Sequence, residues 1–574
     1  MNRFLAFIFS AVLTAEAVAI PARRTPFTVY QSDGTTLTVV LMGDECCHFL
    51  ATIDGTPVIE DGEGRYRLAP EMKEDLEAAW TQKSKQRNVQ RMKRSAMAKQ
   101  RRANGISGAS YIGDKKGVVI LVEFSDLNMK SADPNKSFYN QFNKEGYNLN
   151  GNMGSVHDYF YDQSYGQFNL TFDVYGPVVA SKSYAYYGEN DMFGEDKHVT
   201  TLMREACQLA NSQYDIDWSK YDWDGDGEVD QVFIVYAGHG EAYGAASNTI
   251  WPHEWSLSDA GESVLQIGGI RLNTYAMSCE LSGISGNTID GIGAACHEFS
   301  HCLGLPDFYD TGYNGGFGMG YWDLMDAGYA NGALNIGSAP AGFSAYERWY
   351  AGWLTPIELK EPCTIHNMPA LQDEPISYII YNEGNNDEFF ILENRQNTGW
   401  FSYVSSSTNC HGLLAVHGCY DEEKWYYNTV NNDAAEQGMT IIPAGGTYGT
   451  LVGSTGAKYY VTSTEQLRSQ LFPGNKNVTE LTNESHLSCG GVLLNPNADG
   501  SSFMNKPITD IKESAEGLIS FKFMGGGADA IGSIYKDSDA AEFFTLSGTR
   551  ISNPQVSGIY IMKKNGETKK IYVR

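Results

Sequence analysis

The pattern of apolar and polar residues predicts two kinds of element between residues 105 and 360. Short, continuously apolar runs suit strands that are buried on both faces of a sheet. Apolar residues repeated every three to four positions predict amphipathic helices. In chain order these are a strand at 117–126, a helix, turn and strand at 155–178, a helix at 199–213, a strand at 231–238 and a helix at 341–354. This order predicts a mixed α/β domain.

The pattern on either side of this region predicts β-structure. Residues 20–80 carry short strand-like patches between turn residues, and residues 361–524 repeat that pattern in the manner of a β-sandwich. Three glycines at 525–527 mark a further boundary, after which Asn-Gly at 565–566 predicts a hairpin. We therefore expect a multidomain α+β protein. Its parts are an N-terminal β unit, the α/β domain at 105–360, a β-rich accessory domain at 361–524 and a C-terminal β domain at 525–574.

Residues 1–19 have the layout of a secretory signal peptide. A basic residue precedes the apolar stretch Phe4–Leu13, and Ala17–Ala19 supply small residues for cleavage. A buried N-terminal strand is the alternative, since the apolar run is too short to span a bilayer. No later segment reaches about 18 consecutive apolar residues, so we expect an exported protein without stable membrane insertion.

The segment at 83–102 holds nine Lys or Arg residues and no acidic residue. A solvated helix and a nucleic-acid-binding arm are the alternatives for such a segment. Its dibasic pairs, Lys93-Arg94 and Arg101-Arg102, favour an exposed linker that is open to trypsin-like or furin-like cleavage. We therefore predict a propeptide at 20–104 that ends in this basic processing linker.

The composition narrows the class of protein. Apolar residues make up 42% and aromatic residues 12% of the 574 positions, as in a globular protein. The formal net charge of −27 argues against nucleic acid as a partner, because phosphate binding needs a basic surface, and it suits calcium ions. Ten cysteines permit disulfides in an exported protein, but their spacing specifies no connectivity.

One motif, HExxHxxGxxD, carries most of the chemistry. Two histidines four positions apart on a helix point the same way, so His297 and His301 can bind one metal ion. Glu298 flanks that face, where a carboxylate can take a proton from a water at the metal. Gly304 suits the left-handed residue that ends a helix, after which the chain turns back.

The chain that turns back brings Asp307 round as the predicted third ligand, with Asp310 as the alternative. Three protein ligands and one open position are typical of a catalytic zinc rather than a structural one. Small and apolar residues at 286–296 predict a helix packed deep in the fold, rather than the alternative of a surface helix with solvated histidines. His239 and His253 are left out of the ligand set, because histidines in cores or on surfaces are commoner than ligands.

Two further site residues are predicted just after the motif. A methionine in a tight turn can form an apolar floor beneath a metal; Met325 fits this role, and Met319 is the alternative. Tyr329 can donate a hydrogen bond to a developing oxyanion, and packing in the core is its other interpretation.

The segment at 222–230 resembles the first half of a calcium-binding loop, with oxygen donors at alternate positions and a glycine at the sixth. The twelfth position, Phe233, is not acidic, so the match is partial and a simple acidic turn is the alternative. A structural calcium ion would take four aspartate side chains and the backbone carbonyl of Glu228. The four are Asp222, Asp224, Asp226 and Asp230.

With these residues in place, the chain resembles the immune inhibitor A family of secreted bacterial zinc metallopeptidases. Other metzincin-like enzymes share the metal motif, so the accompanying segments carry the specificity. They are GVVILVEFSD (117–126), SVHDYFYDQSYGQF (155–168), DWDGDGEVDQVFIVYAGHG (222–240), WPHEW (251–255), HEFSHCLGLPDFYD (297–310), YWDLMDAG (321–328), SAYERWYAGWLTP (344–356) and FFILENRQ (389–396). The C-terminal pattern at 546–574 is similar to sorting domains of type IX secretion cargo, which implies outer-membrane secretion machinery as a partner.

The resemblance implies a metzincin-like catalytic domain in a zinc-dependent endopeptidase that is secreted as a zymogen and acts on proteins or peptides. Zinc would be held by His297, His301 and Asp307, with Glu298 as general base. We expect a monomer that is extracellular or attached to the cell surface. One propeptide residue is expected to block the metal, and the alternatives are Cys46 or Cys47 as a thiolate and Asp44 or Glu45 as a carboxylate.

Two other functions remain as alternatives. A calcium-stabilised surface adhesin with a non-catalytic metal site is the first, although such a site has no need of the Glu298 carboxylate. A zinc-dependent exopeptidase or amidase is the second, although no feature of the sequence indicates a pocket for a substrate terminus.

Overall fold

The computed structural model describes residues 26–43, 47–61, 64–76, 111–404, 407, 409–453, 458–485 and 492–527, and four C-terminal strands at 542–544, 550–551, 558–564 and 567–573. The predicted signal peptide at 1–19, the basic linker at 83–102 and the Asn-Gly pair at 565–566 lie outside the described residues. Among the described residues, we find no helix with both the length and the apolar character of a membrane span.

An antiparallel five-stranded sheet forms the N-terminal unit, in the order β1-β2-β3-β4-β5. Its strands are β1 (Phe27–Tyr30), β2 (Thr36–Gly43), β3 (His48–Thr52), β4 (Pro57–Glu60) and β5 (Tyr66–Leu68). Consecutive strands pair with one another, as the alternation of strand-like patches and turn residues predicts. The end of the β2–β3 hairpin contacts the region after residue 111, where the Tyr313 hydroxyl donates to the Gly43 carbonyl (3.1 Å).

A second five-stranded sheet organises the α/β region, in the order β7-β6-β8-β12-β9. In chain order the strands are β6 (Gly113–Glu123), β7 (Phe168–Val179), β8 (Val232–His239), β9 (His253–Ser256), a small hairpin of β10 (Leu265–Ile267) and β11 (Ile270–Leu272), and β12 (Thr274–Leu281). All pairings in the large sheet are parallel except that of the edge strand β9 with β12. The apolar runs of β6 and β8 form its buried centre, as predicted.

The described residues include eight α-helices. They are α1 (Pro134–Asn143), α2 (Val156–Gln163), α3 (Tyr184–Tyr187), α4 (Val199–Tyr214), α5 (Gly293–Cys302), α6 (Ala345–Ala351), α7 (Glu422–Tyr426) and α8 (Thr464–Ser469). Polar side chains fix where some of them begin. Ser344 and Glu347 form a reciprocal capping box, so α6 begins at Ala345 rather than at the start of the apolar pattern at 341.

The helix predicted over 286–296 is shorter than the pattern suggests, because α5 begins only at Gly293. A Cβ atom on Gly293 would lie 1.9 Å from the Tyr329 carbonyl oxygen, and one on Gly291 would lie 2.3 Å from the Gly337 backbone. The small residues therefore allow close backbone contacts ahead of the helix instead of extending it. The helix itself is buried along its whole length, as predicted.

β-Structure resumes after α6. The strands are β13 (Ile357–Glu358), β14 (Cys363–Met368), β15 (Tyr378–Asn382), β16 (Asn385–Arg395), β17 (Gly412–Cys419), β18 (Met439–Ile441), β19 (Thr450–Gly453), β20 (Lys458–Val461), β21 (Ile508–Glu513), β22 (Ile519–Phe523), β23 (Glu542–Phe544), β24 (Arg550–Ile551), β25 (Gly558–Lys564) and β26 (Glu567–Val573). A sheet in the order β13-β15-β16-β17-β18 shares a hydrophobic core with a smaller sheet, β14-β22-β21. The hairpin β19–β20 and a C-terminal sheet, β24-β23-β25-β26, complete the β-rich regions.

The largest hydrophobic core continues past residue 360. It joins Ile234 of the central sheet and Phe299 of α5 to Phe389 of β16 and Trp425 of α7. The predicted accessory region therefore packs against the α/β region, and it supplies part of the surroundings of the α5 helix.

Candidate metal centre

Two histidines of α5 lie side by side at the heart of the fold. His297 is 2% exposed and His301 3% exposed. Their ring centroids are 4.8 Å apart and the rings are almost perpendicular, at 86°. One helical turn separates them, so both side chains leave the helix on the same face, as the spacing predicts.

Backbone carbonyls set the orientation of both rings. The Nδ1 atom of His297 lies 2.9 Å from the Leu324 carbonyl oxygen, and that of His301 lies 2.8 Å from the Leu305 carbonyl oxygen. A carbonyl oxygen only accepts hydrogen bonds, so Nδ1 of each neutral ring must carry the proton. The lone pair of each ring is therefore on Nε2, which is the atom available to a metal.

Asp307 completes a group of three ligand atoms. Its Oδ1 atom lies 3.2 Å from His297 Nε2 and 3.5 Å from His301 Nε2. All three atoms fall within 4.8 Å of one another. Tetrahedral zinc ligands at the usual bond lengths are about 3.3 Å apart, so the spacing fits a zinc ion. The donor set of two imidazoles and one carboxylate fits it as well.

The backbone after α5 carries Asp307 back towards the helix. Gly304 has φ +90°, the left-handed conformation that was predicted to end the helix. Its backbone N–H donates to the His301 carbonyl (2.9 Å), which closes the last turn. Asp307 then follows within three residues, and it is 2% exposed.

Asn428 holds Asp307 in place, and no sequence motif predicts this contact. The Asp307 backbone N–H donates to Asn428 Oδ1 (2.6 Å), and Asn428 Nδ2 donates to Asp307 Oδ2. Asn428 is fully buried and has φ +55°, a conformation that asparagine tolerates better than most residues. It lies 121 positions away in the chain, so no local motif links it to the metal residues.

Asp310 has a different position and a different set of contacts. Its carboxylate accepts hydrogen bonds from the backbone amides of Gly312, Asn314, Gly315 and Gly316 at 2.6–3.0 Å. Burial raises the pKa of this carboxyl to about 6 despite those amides. The side chain thus organises its own loop, and the structure places Asp307, not Asp310, beside the two histidines.

The remaining predicted residues lie close to this group. Glu298 is 3% exposed and follows His297 on α5. The ring centroid of Tyr329 lies 5.7 Å from that of His297. Met325 is fully buried, and its carbonyl accepts from the Phe308 backbone N–H (2.7 Å). The residue before it, Leu324, is the one that orients His297.

Met319, the alternative turn methionine, is held by Asp326. The Asp326 carboxylate accepts from the backbone amides of Met319 and Gly320 at 2.8 Å each. Burial raises the pKa of Asp326 to about 8.

His239 and His253 both bond to backbone carbonyls, of Gly283 (2.9 Å) and Trp251 (2.7 Å) respectively. No disulfide joins any two of the eight cysteines that the structure describes.

The acidic loop brings three of its four predicted aspartates together. Asp222, Asp224 and Asp226 each place a carboxylate oxygen within 4.8 Å of the other two. The backbone amides of Gly225 and Gly227 donate to the two oxygens of Asp222 (2.8 and 2.9 Å). The loop therefore curls around the first aspartate, as its two glycines allow.

The last two acidic residues of this loop make other contacts. The Glu228 carboxylate pairs with Arg271 (Oε2 to Nε, 3.1 Å). The group of Glu228 that is predicted to bind calcium is its backbone carbonyl, not this carboxylate. Asp230 accepts from the Trp223 backbone N–H (2.6 Å) and is not part of the aspartate group.

Two helical histidines, a following aspartate and an adjacent glutamate form the kind of site that zinc hydrolases use. Residues 107–353 match the family model for the Immune inhibitor A peptidase M6 catalytic domain. The metal centre lies within the matched residues. The resemblance that the sequence motifs predicted is therefore confirmed for this region.

Individual relatives match over a similar length. The chain is 30% identical over 274 residues to Pre-pro-metalloprotease PrtV of Vibrio cholerae serotype O1 (strain M66-2), which covers 41% of this chain and 29% of that protein. It is 28% identical over 277 residues to Immune inhibitor A of Bacillus thuringiensis subsp. alesti, which covers 41% of this chain and 39% of that protein. The matched region thus spans less than half the length of either relative.

Proposed function

We propose that this chain is a secreted zinc-dependent endopeptidase that is made as a zymogen, with a metzincin-like catalytic domain at 105–360. The observation that carries the proposal is the mutual approach of His297 Nε2, His301 Nε2 and Asp307 Oδ1. The similarity of residues 107–353 to a peptidase catalytic domain supports peptide bonds as the target.

The proposed chemistry assigns a role to each residue of the site. A zinc ion on the three ligands would lower the pKa of a water and polarise the scissile carbonyl. Glu298 takes the proton of the attacking water and delivers it to the leaving amine. Tyr329 donates a hydrogen bond to the oxyanion, and Met325 provides the apolar floor.

The N-terminal unit is proposed to be the propeptide, at 20–104, with cleavage in the basic linker at 83–102. Its contact with the α/β region supports this role, since the β2–β3 hairpin end lies against Tyr313. Cys47 is buried there in an apolar cluster with Val40 and Tyr313, and it is not part of the described metal group. The other predicted blocking groups, Asp44, Glu45 and Cys46, lie outside the described residues.

Localisation and partners follow from the same proposal. An exported chain would act outside the cell or at its surface, as a monomer, on proteins or peptides. The domain at 525–574 would engage the outer-membrane secretion machinery.

Digestion of a denatured protein such as casein tests the proposed activity. We expect the extracellular form to produce internal cleavage products, and a zinc chelator to abolish them, with recovery on adding zinc. Products released one residue at a time from a terminus would instead indicate an exopeptidase. Absence of cleavage with zinc bound would favour the adhesin.

We also propose a structural calcium ion on the loop of Asp222, Asp224 and Asp226, since their carboxylate oxygens converge. Calcium should raise the thermal midpoint of the wild-type chain by about 3 °C, because an ion that binds only the folded state stabilises it. Asp224→Asn should lose most of this shift, and Glu516→Gln, a surface control, should keep it. An equal calcium shift in Asp224→Asn would place the ion elsewhere.

A further inference from the structure

The N-terminal unit inserts the His48 side chain into a slot of the α/β region that is formed by Asn190, Glu241 and Trp251. The imidazole is 2% exposed, and its Nε2 atom lies 3.2 Å from Glu241 Oε2. The same atom lies 3.2 Å from Asn190 Nδ2. The ring stacks on Trp251, with centroids 4.1 Å apart and an interplanar angle of 26°. The slot therefore has an aromatic floor and an acidic wall.

The slot is built entirely from the α/β region. Asn190 Nδ2 donates to Glu241 Oε2 (3.0 Å), and the Glu241 backbone N–H donates to the Ile250 carbonyl (3.1 Å). Asp196 Oδ2 accepts from the Trp251 backbone N–H (2.8 Å). None of these bonds involves the N-terminal unit, so the frame of the slot is expected to remain when that unit leaves.

The slot offers more acceptors than His48 uses. Asn190 Oδ1 and Asp196 Oδ1 are buried and accept no hydrogen bond within the described part of the chain. An imidazole has at most two N–H donors, whereas a guanidinium has five in one plane and also stacks well on an indole ring. The chemistry of the slot therefore suits an arginine side chain better than histidine.

Two connections link the slot to α5, the helix that carries the two histidines. Glu241 begins a short turn that ends at Tyr243, whose hydroxyl donates to Asp290 Oδ2 (2.7 Å) just ahead of α5. Asp290 lies three residues before Gly293, the first residue of that helix. On the other side, Trp251 leads into the edge strand β9, which contacts α5.

We propose that the slot of Asn190, Glu241 and Trp251 is a subsite for an arginine side chain of the peptide substrate, and that His48 fills it in the unprocessed chain. This inference rests on the proposed endopeptidase with a detachable N-terminal unit. When processing removes the N-terminal unit, the guanidinium of a substrate would replace the His48 ring on the Trp251 indole.

A rescue experiment on the full chain tests the chemistry of the slot without any proteolysis. His48→Ala vacates it, and ethylguanidinium at about 10 mM should then raise the thermal midpoint by about 3 °C, because it binds the folded state. Ethylurea, a neutral analogue of similar shape, should not. The shift should disappear in His48→Ala/Glu241→Gln and persist in His48→Ala/Glu262→Gln, a control on the surface. Equal shifts with both compounds, or no shift, overturn the proposal.

Cleavage preferences of the processed extracellular form provide the second measurement. Peptides that carry arginine or citrulline at each position around the cleaved bond should show a kcat/KM ratio of about tenfold or more at one position. Glu241→Gln should bring that ratio close to one, while Glu262→Gln should leave it unchanged. Cleavage without any arginine preference, or with a stronger lysine preference, contradicts the subsite. A complete lack of cleavage contradicts the proposed function instead, and the rescue experiment still decides the slot.

Discussion

Glu298→Gln is expected to abolish proteolysis and to leave the zinc content at one ion per chain. Glutamine has nearly the same shape as glutamate, but it cannot take a proton from the attacking water. General-base catalysis of this kind contributes about 10²–10⁴-fold to a rate, so casein cleavage should fall by at least that factor. The three proposed metal ligands are unchanged, and their orienting carbonyls belong to Leu324 and Leu305.

Two measurements check this result on the same preparations: casein cleavage and zinc content by elemental analysis. Glu262→Gln is the matched control, because Glu262 pairs with Arg204 and is not one of the three grouped metal residues. Retained cleavage in Glu298→Gln would remove the residue from its role as base. Loss of zinc along with activity would instead show that the carboxylate supports the metal.

Asp307→Ala is expected to weaken zinc binding more than any other change in the chain apart from loss of a histidine. It removes the carboxylate that lies 3.2 Å from His297 Nε2, and two protein ligands hold a catalytic zinc poorly. Asn428→Ala should weaken zinc binding by about 10–100-fold, the usual cost of losing a residue that orients a ligand. Asp310→Asn should leave the zinc affinity close to that of the wild type.

Competition with a chromogenic chelator measures all three affinities, and circular dichroism confirms that each variant is folded. The order of the three variants is the test. If Asp310→Asn loses zinc while Asp307→Ala keeps it, Asp310 is the third ligand and its loop must rearrange when the metal binds. If Asn428→Ala matches the wild type, the two hydrogen bonds to Asp307 do not orient it for the metal.

Local pattern predicted the central elements well. The apolar runs at 117–126 and 231–238 correspond to β6 and β8, because strands buried on both faces need continuous apolar sequence. The helical spacing at 199–213 corresponds to α4. The run at 286–296 was interpreted less well, since small residues favour close backbone contacts as much as they favour a buried helix.

Local sequence likewise predicts one part of the candidate site and leaves another part open. The approach of His297 and His301 follows from helix geometry alone, and the turn at Gly304 follows from its freedom to adopt positive φ. Local geometry does not decide between Asp307 and Asp310, because both lie a few residues beyond the helix. Backbone amides of the loop at 312–316 bind Asp310, and Asn428 binds Asp307.

By itself the sequence determined the class of site: a helix with two histidines and a glutamate, followed by a turn and an acidic residue. These features depend on residues within one or two helical turns, and short-range geometry is what spacing encodes. Only the tertiary structure decided which aspartate faces the histidines, that Asn428 holds it from 121 positions away, and that His48 fills an acidic slot near the same helix. Such contacts join residues that are distant in the chain, and they form only when separate elements pack into one core.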